Sequence, residues 1–188
     1  SVKFGTASDT EQESVIYQKQ ILDQMIVIDK SNSMNYPSGK QKIIAAKNAA
    51  RLFVDAARIS DTIGIVSFNG NNTETNDDAF LDMALITVTD ASRTTARNKI
   101  NGIVANGWTS IGDGIEKARP QFAASGGPGE DWIVLLSDGM ENEASLWANV
   151  ASAITTAGIR VNTIALGPAT DQALLQQIAK DRKSTRLN

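Results

Sequence analysis

Short apolar runs punctuate the chain, and stretches with helical spacing separate them. The first run, Met25-Ile26-Val27-Ile28, is continuous and stops at Asp29. A run without alternation predicts a central strand covered on both faces, because a strand open to water on one side alternates. Segments 62–68, 132–136 and 161–166 predict further strands, and 80–88 predicts an edge strand with partial alternation. Between them, Ile43, Ile44, Ala46, Lys47, Ala50, Leu52, Phe53 and Ala57 recur at helical spacing. Segments 92–103, 111–122, 145–157 and 171–179 predict four more helices. Asp90 or Ser92 would cap the first of these four, Gly158 would close the third, and Thr170 or Asp171 would cap the last. Trp132 and Trp147 read as core.

The loops stand out by composition. Residues 30–39 hold Asn32, Pro37 and Gly39 as turn formers, 69–78 is rich in Asn, Thr and Asp, and 126–129 is a turn. Residues 1–20 are polar and weakly patterned, a linker or the end of a preceding module, so the chain reads as a piece of something larger. Residues 181–188 lack periodicity and read as an unstructured or foreign tail, which leaves 21–180 as the domain.

Strands alternating with amphipathic helices predict an α/β fold, doubly wound and Rossmann-like. Its central sheet would be mostly parallel, with one antiparallel edge strand and helices on both faces. Ligands of such sheets sit beyond the carboxyl ends of the strands, near the point where strand order reverses. Asp29 and Asp138 each follow an apolar strand directly, so both carboxylates are expected on one edge of the sheet.

Composition narrows the chemistry there. At 188 residues, 41% hydrophobic and 21% charged, the chain suits one globular domain. A net charge of -3, with its one dense basic cluster at residues 180–186, argues against nucleic acid and anionic membranes as partners. No stretch is apolar enough to span a bilayer, so direct membrane insertion is not expected. The chain has no cysteine and no histidine, which excludes disulfides, thiolate chemistry, histidine bases and histidine-held zinc. A metal here must be held by oxygen, which points to Mg2+, Ca2+ or Mn2+.

Asp29-Lys30-Ser31-Asn32-Ser33 is a D-x-S-x-S pattern in the loop leaving a strand. Alternate side chains of such a loop can converge on one point, one bringing charge and two bringing compact neutral oxygens. Thr109, in the loop before a helix, and Asp138, from a distant strand end, would complete the protein's share of a Mg2+ shell that also keeps water. Asn32 tolerates a positive φ, which such a turn can require.

Asp29-x-Ser31-x-Ser33, Thr109 within Gly107-Trp108-Thr109-Ser110-Ile111, and Ser137-Asp138-Gly139 occur in this order and resemble the metal-ion-dependent adhesion site of von Willebrand factor A domains. The resemblance covers roughly residues 24–179. Val27-Ile28-Asp29-Lys30-Ser31, Thr109-Ser110-Ile111 and Ile164-Ala165-Leu166-Gly167-Pro168 are most similar to the A domains of calcium-activated chloride channel regulators and their bacterial relatives. Asn32 stands where that family commonly has glycine, and Ser137 where threonine is common; neither removes a ligand. The resemblance implies a non-enzymatic adhesion or assembly module in an extracellular or cell-surface setting. Its cation would keep an open position for an Asp or Glu carboxylate of a protein partner, since two carboxylates leave a divalent ion little excess negative charge to face.

Simpler readings stand beside these. Asp29 alone reads as a turn-capping loop residue. Thr109 is equally natural as the N-cap of the next helix, as is Ser110. Asp113 could stand behind the ligands but reads first as a solvated acid of a first helical turn. Glu141 and Glu143 could shape the rim or field of the site but read first as a solvated loop. Asp77 and Asp78 could make another cation site but read first as loop residues. Trp108 is either a rim aromatic for a partner or a buried one. Asn71-Asn72-Thr73 is a glycosylation sequon of a kind common by chance. Two other functions compete. An intracellular A domain would serve as adaptor of an ATPase-driven assembly. A phosphotransferase of the haloacid-dehalogenase kind would use Asp29 as nucleophile, but that family has a second Asp where Ser31 stands. No Gly-rich phosphate loop is present for ATP.

Overall fold

The computed structural model describes residues 20–36, 41–71, 78–125, 129–167 and 170–180. The polar segment 1–19, the turn at 126–128, Pro37, Gly39, Asp77, most of the sequon and the tail 181–188 lie outside the described residues. In chain order the elements are β1 (Leu22–Asp29), α1 (Lys42–Ala56), β2 (Thr62–Phe68), β3 (Ala79–Thr87), α2 (Asp90–Gly102), α3 (Ile111–Ser125), β4 (Glu130–Ser137), α4 (Trp147–Ala157), β5 (Arg160–Ala165) and α5 (Gln172–Lys180). The strands form one sheet in the order β3-β2-β1-β4-β5. All neighbours are parallel except β2 and β3, which leaves β3 as the antiparallel edge the sequence predicts.

The apolar run of β1 explains the two-faced core. Ile26 and Ile28 pack with Ile63, Ile65, Val134 and Leu136 under α1 and α2, where Ala46, Ala50, Ala96 and Ile100 close the layer. Met25 and Val27 point the other way, with Val66, Ile133 and Leu135, against Ile111 and Ile115 of α3, Trp147 and Ile154 of α4, and Leu175 and Ile178 of α5. Small residues on α1, Ala46 and Ala50 among them, let its backbone lie close to the sheet. No helix among the described residues is long and apolar enough to cross a membrane.

Strand order reverses at β1, which has β2 on one side and β4 on the other. Asp29 ends β1, and Asp138 follows the last residue of β4. In register Ile28 faces Leu136, so Asp29 emerges level with Ser137 and Asp138 one residue beyond it on the adjacent strand. The crevice expected at such a reversal therefore opens between two acids.

The structure corrects several details. Part of the loop after β1 is a turn of 3-10 helix, Asn32–Asn35. Asn32 has no positive φ; among described non-glycine residues that conformation occurs only at Ser60. Neither Asp90 nor Ser92 is the N-cap of α2. Thr89 is, its hydroxyl accepting from the Ser92 N–H (3.1 Å) while Ser92 Oγ accepts from the Thr89 N–H (2.7 Å). Serine in the third helical position thus takes the part more often played by Glu or Gln. For α5 the cap is Asp171, whose Oδ1 accepts from the Leu174 N–H (3.0 Å), whereas Thr170 bonds back to the Gly167 carbonyl. Gly158 closes α4 at φ 81° as expected. Trp147 is core, but Trp132 is only half-buried. It lies near the start of β4, where Arg160 stacks over its ring at 5.0 Å and Glu130 takes its indole N–H.

Ile28 is fully buried directly behind Asp29, whereas Leu52 on α1 is 69% exposed. Chemical denaturation should show Ile28→Ala losing about 2–5 kcal/mol and Leu52→Ala staying within about 0.5 kcal/mol of the parent.

Candidate functional site

The loop leaving β1 is built around the Asp29 carboxylate. Oδ1 accepts the Ser31 N–H (2.8 Å), a two-residue turn typical of aspartate, and Oδ2 accepts the Ser137 hydroxyl (2.6 Å). Ser137 Oγ in turn accepts the Gly139 N–H (2.8 Å), so one hydroxyl ties the end of β4 to the acid ending β1. Asp29 is fully buried, and desolvation lifts its pKa to about 6. The hydrogen bonds from Ser137 and Ser31 oppose that rise, and the nearby Asp138 carboxylate adds to it.

Past Asp29 the alternation holds. Lys30 turns away to set Nζ 3.8 Å from the Phe80 ring centroid, while Ser31 and Ser33 bring their Oγ atoms to 2.9 Å from one another. Neighbouring oxygens around an octahedral Mg2+ with its usual short bonds are spaced by about 2.9 Å. Asp138 is fully buried too. Its Oδ2 accepts from Lys42 Nζ at 2.7 Å, and its Oδ1 has no hydrogen-bond partner among the described residues.

Thr109 reaches the same place through the loop before α3. The Asn32 N–H donates to the Gly107 carbonyl (2.9 Å) and the Asn106 N–H to the Lys30 carbonyl (2.7 Å), lacing this loop to the one after β1. Gly107 sits at φ +75°, and a Cβ there would lie 2.3 Å from the Gly70 carbonyl oxygen. Asn142 fixes Thr109 by accepting its N–H on Oδ1 (2.9 Å), and the Thr109 carbonyl accepts the N–H groups of Asn142 and Glu143. Ser33 and Thr109 line one open cleft of about 410 Å³ with Asn32, Gly107, Trp108 and Asn142. All five residues singled out by the sequence, Asp29, Ser31, Ser33, Thr109 and Asp138, thus gather at one end of the sheet. Trp108 (48% exposed) lines this cleft and Met140 (54% exposed) an adjacent one beside Glu141 and Asn142, so Trp108 is not the buried aromatic the sequence also allowed.

Ser110 stands at the N-cap position of α3, its carbonyl accepting the Gly114 N–H (3.3 Å). Its Oγ donates to the Ser145 carbonyl (3.1 Å), and the helix end is also held from a distance by Glu141. Glu141 is therefore not simply a solvated loop residue. Half-buried, its Oε1 accepts the Gly112 N–H (3.2 Å) at the start of α3 and the Trp147 N–H (2.8 Å) at the start of α4. Gly112 is needed for this junction, since a Cβ there would lie 2.4 Å from the Ser145 carbonyl oxygen. Desolvation raises the Glu141 pKa to about 7 against these hydrogen bonds, with Asp113 adding to the rise. Asp113 is not the solvated acid expected either: it is 7% exposed, and its Oδ2 is buried without a hydrogen-bond partner among the described residues.

Four residues hold the site in ways the sequence did not reveal: Ser137 and Glu141, named only within the motif and beside the rim, and Lys42 and Asn142, not singled out. A hydroxyl directly before the strand-end aspartate was a usable signal for Ser137. The other three act across loops that no spacing rule connects.

The oxygen donors fit a hard divalent cation. Two carboxylates and three hydroxyls converge, one carboxylate oxygen is buried and unpartnered, and no group of three or more acidic, histidine or cysteine side chains competes among the described residues.

The sequence matches the von Willebrand factor type A domain family over residues 23–187. The match is to the family as a whole, and the narrower similarity to chloride channel regulators rests on the sequence segments alone. No curated protein matches. Among solved structures, a von Willebrand factor type A protein from Catenulispora acidiphila superposes with TM-score 0.72 at 21% identity, covering 86% of this chain and 37% of that one. Proximal thread matrix protein 1 from the mussel byssus, solved also with a zinc-occupied MIDAS motif, gives 0.70 at 22% identity, covering 85% and 41%. The manganese-loaded TRAP protein of Plasmodium vivax gives 0.68 at 17% identity, covering 89% and 65%. The chain thus spans little more than a third of the Catenulispora protein and less than half of the byssus protein.

Glu141 carries a pH signature. Its folded pKa lies above the ordinary value of 4.5, so folding binds a proton between about 4.5 and about 7. Its stabilising contribution is complete below about 4.5 and is lost as pH rises through about 7. Thermal melts in chelator should show the parent losing stability across that window, with Glu141→Gln losing measurably less.

Proposed function

The chain belongs to the von Willebrand factor type A domain family, and we propose that it is a metal-dependent protein-binding module. In this reading Asp29, Ser31, Ser33, Thr109 and Asp138 hold a divalent cation, Mg2+ in the first instance. When bound, the cation supplies an electrophilic position for an Asp or Glu carboxylate of a protein partner. The observation that carries the reading is two fully buried aspartates at the ends of adjacent strands beside a hydroxyl pair 2.9 Å apart, with Asp138 Oδ1 unpartnered among the described residues. A buried carboxylate oxygen without a partner is costly, and a cation answers it better than any neutral donor. The zinc-occupied MIDAS motif of the byssus protein and the manganese loaded on the TRAP protein support a divalent ion as the ligand of such a domain.

Each residue has a part that follows from its position. Asp29 is clamped by Ser31 and Ser137, so its charge is fixed in place, and each of its oxygens keeps a lone pair beyond the hydrogen bond it accepts. Ser31 and Ser33 add oxygen without charge, which leaves the cation electrophilic. Thr109, pinned through Asn142, faces the open cleft where a partner's acid would arrive. Trp108 and Met140 offer that partner apolar contact beside the polar centre.

Thermal unfolding of chelator-treated protein with Mg2+ added tests the reading. One native-state site stabilises by about 2.7 kcal/mol at a hundredfold excess over Kd. The parent should gain stability saturably, and Asp29→Ala should fold but not respond. An equal response from both, or none from either, would refute it.

A further inference from the structure

Lys42, the first residue of α1, reaches across the sheet end to place Nζ 2.7 Å from Asp138 Oδ2. The pair is no surface contact: the side chains are 14% and 0% exposed. The fold makes room for it. Gly167 lies against the lysine stem, and a Cβ there would sit 3.0 Å from Lys42 Cε and 3.4 Å from Cδ. Asp138 is held from behind as well, its carbonyl accepting the Asp171 N–H (3.1 Å). One oxygen of Asp138 is therefore covered by an ammonium, and the other is buried without a hydrogen-bond partner among the described residues.

We propose that Lys42 sets the charge of the cation site, weakening its hold on a divalent ion alone and reserving tight binding for the ion together with an anionic ligand. The inference rests on the cation-site reading above. With Lys42, two aspartates and one ammonium leave the protein's share at -1; a divalent cation brings it to +1, and a ligand carboxylate brings it to zero. Without Lys42 the sequence is -2, then zero with the cation, then -1 with the ligand. In a buried site the neutral state is the favoured one. Lys42 thus moves neutrality from the metal-bound state to the state with metal and ligand together. Metal and carboxylate become mutually dependent, each tightening the other by the same factor. The two carboxylates alone, as read from the sequence, would have placed neutrality one step earlier.

The test is Mg2+ titration by calorimetry into metal-stripped protein, with and without acetate as the simplest carboxylate. The parent, Lys42→Met, Lys42→Gln, Lys42→Arg and Asp29→Ala are compared, each checked for native circular dichroism at the titration temperature. Lys42→Met should bind Mg2+ at least about tenfold more tightly than the parent, and acetate should tighten Mg2+ in the parent but not in this variant. Lys42→Arg should behave as the parent. Lys42→Gln, which can still donate a hydrogen bond to Asp138, should follow Lys42→Met, separating charge from mere positioning. If Lys42→Met leaves Asp138 too exposed electrostatically to fold without metal, Lys42→Gln decides the question. Unchanged or weaker Mg2+ binding on loss of the lysine charge, or an equal acetate effect throughout, overturns the role of Lys42 alone. Absence of Mg2+ binding in every protein, or binding that Asp29→Ala retains, overturns the cation site itself.

Discussion

Two carboxylates, Asp29 and Asp138, are buried side by side at the carboxyl ends of adjacent parallel strands, and much of the surrounding structure answers their charge. Desolvation of one acid next to another is among the more expensive arrangements in a protein interior. Here Ser31 and Ser137 donate to Asp29, Lys42 pairs with Asp138, and the loops after β1, before α3 and after β4 are drawn together around the pair. The sheet supplies the position. Strand order reverses at β1, so the acids emerge where no crossover helix covers the strand ends.

Further contacts hold the loops without touching the acids. Glu141 bridges the first turns of α3 and α4, and Asn142 beside it grips the Thr109 amide. The segment after β4 therefore both carries one acid and sets the position of the threonine facing the cleft. In the proposed reading, a partner approaching the cleft would meet Trp108 in its lining, exposed Met140 in the adjoining hollow and a polar centre behind them, an arrangement suited to an acidic side chain flanked by apolar neighbours.

Much of this was legible in the sequence, and the boundary is instructive. The two-faced strands announced themselves because β1 and β4 are covered on both sides and their apolar runs do not alternate. The D-x-S-x-S pattern, Thr109 and Asp138 converge as their positions at strand and helix ends imply. What was hidden depends on long-range contact. Lys42 reads as an ordinary lysine opening a helix, and only the packing of α1 beside Gly167 turns it toward Asp138. Glu141 reads as a polar loop residue because its two N–H partners lie 29 and 6 positions away. The α2 cap was placed late because Thr89 uses a serine, not a longer side chain, to close its box. Trp132 looked like core by type, yet the start of β4 is only partly covered.

The central claim is that one divalent cation sits among these five oxygen-bearing residues. Diffraction from crystals of the protein grown with Mn2+, recorded across the manganese absorption edge, locates such an ion without assumption about its ligands. The account predicts one strong anomalous peak in the crevice between the ends of β1 and β4, bounded by Asp29, Ser31, Ser33, Thr109 and Asp138. A peak elsewhere, or none in this crevice with the ion present in excess, would contradict it.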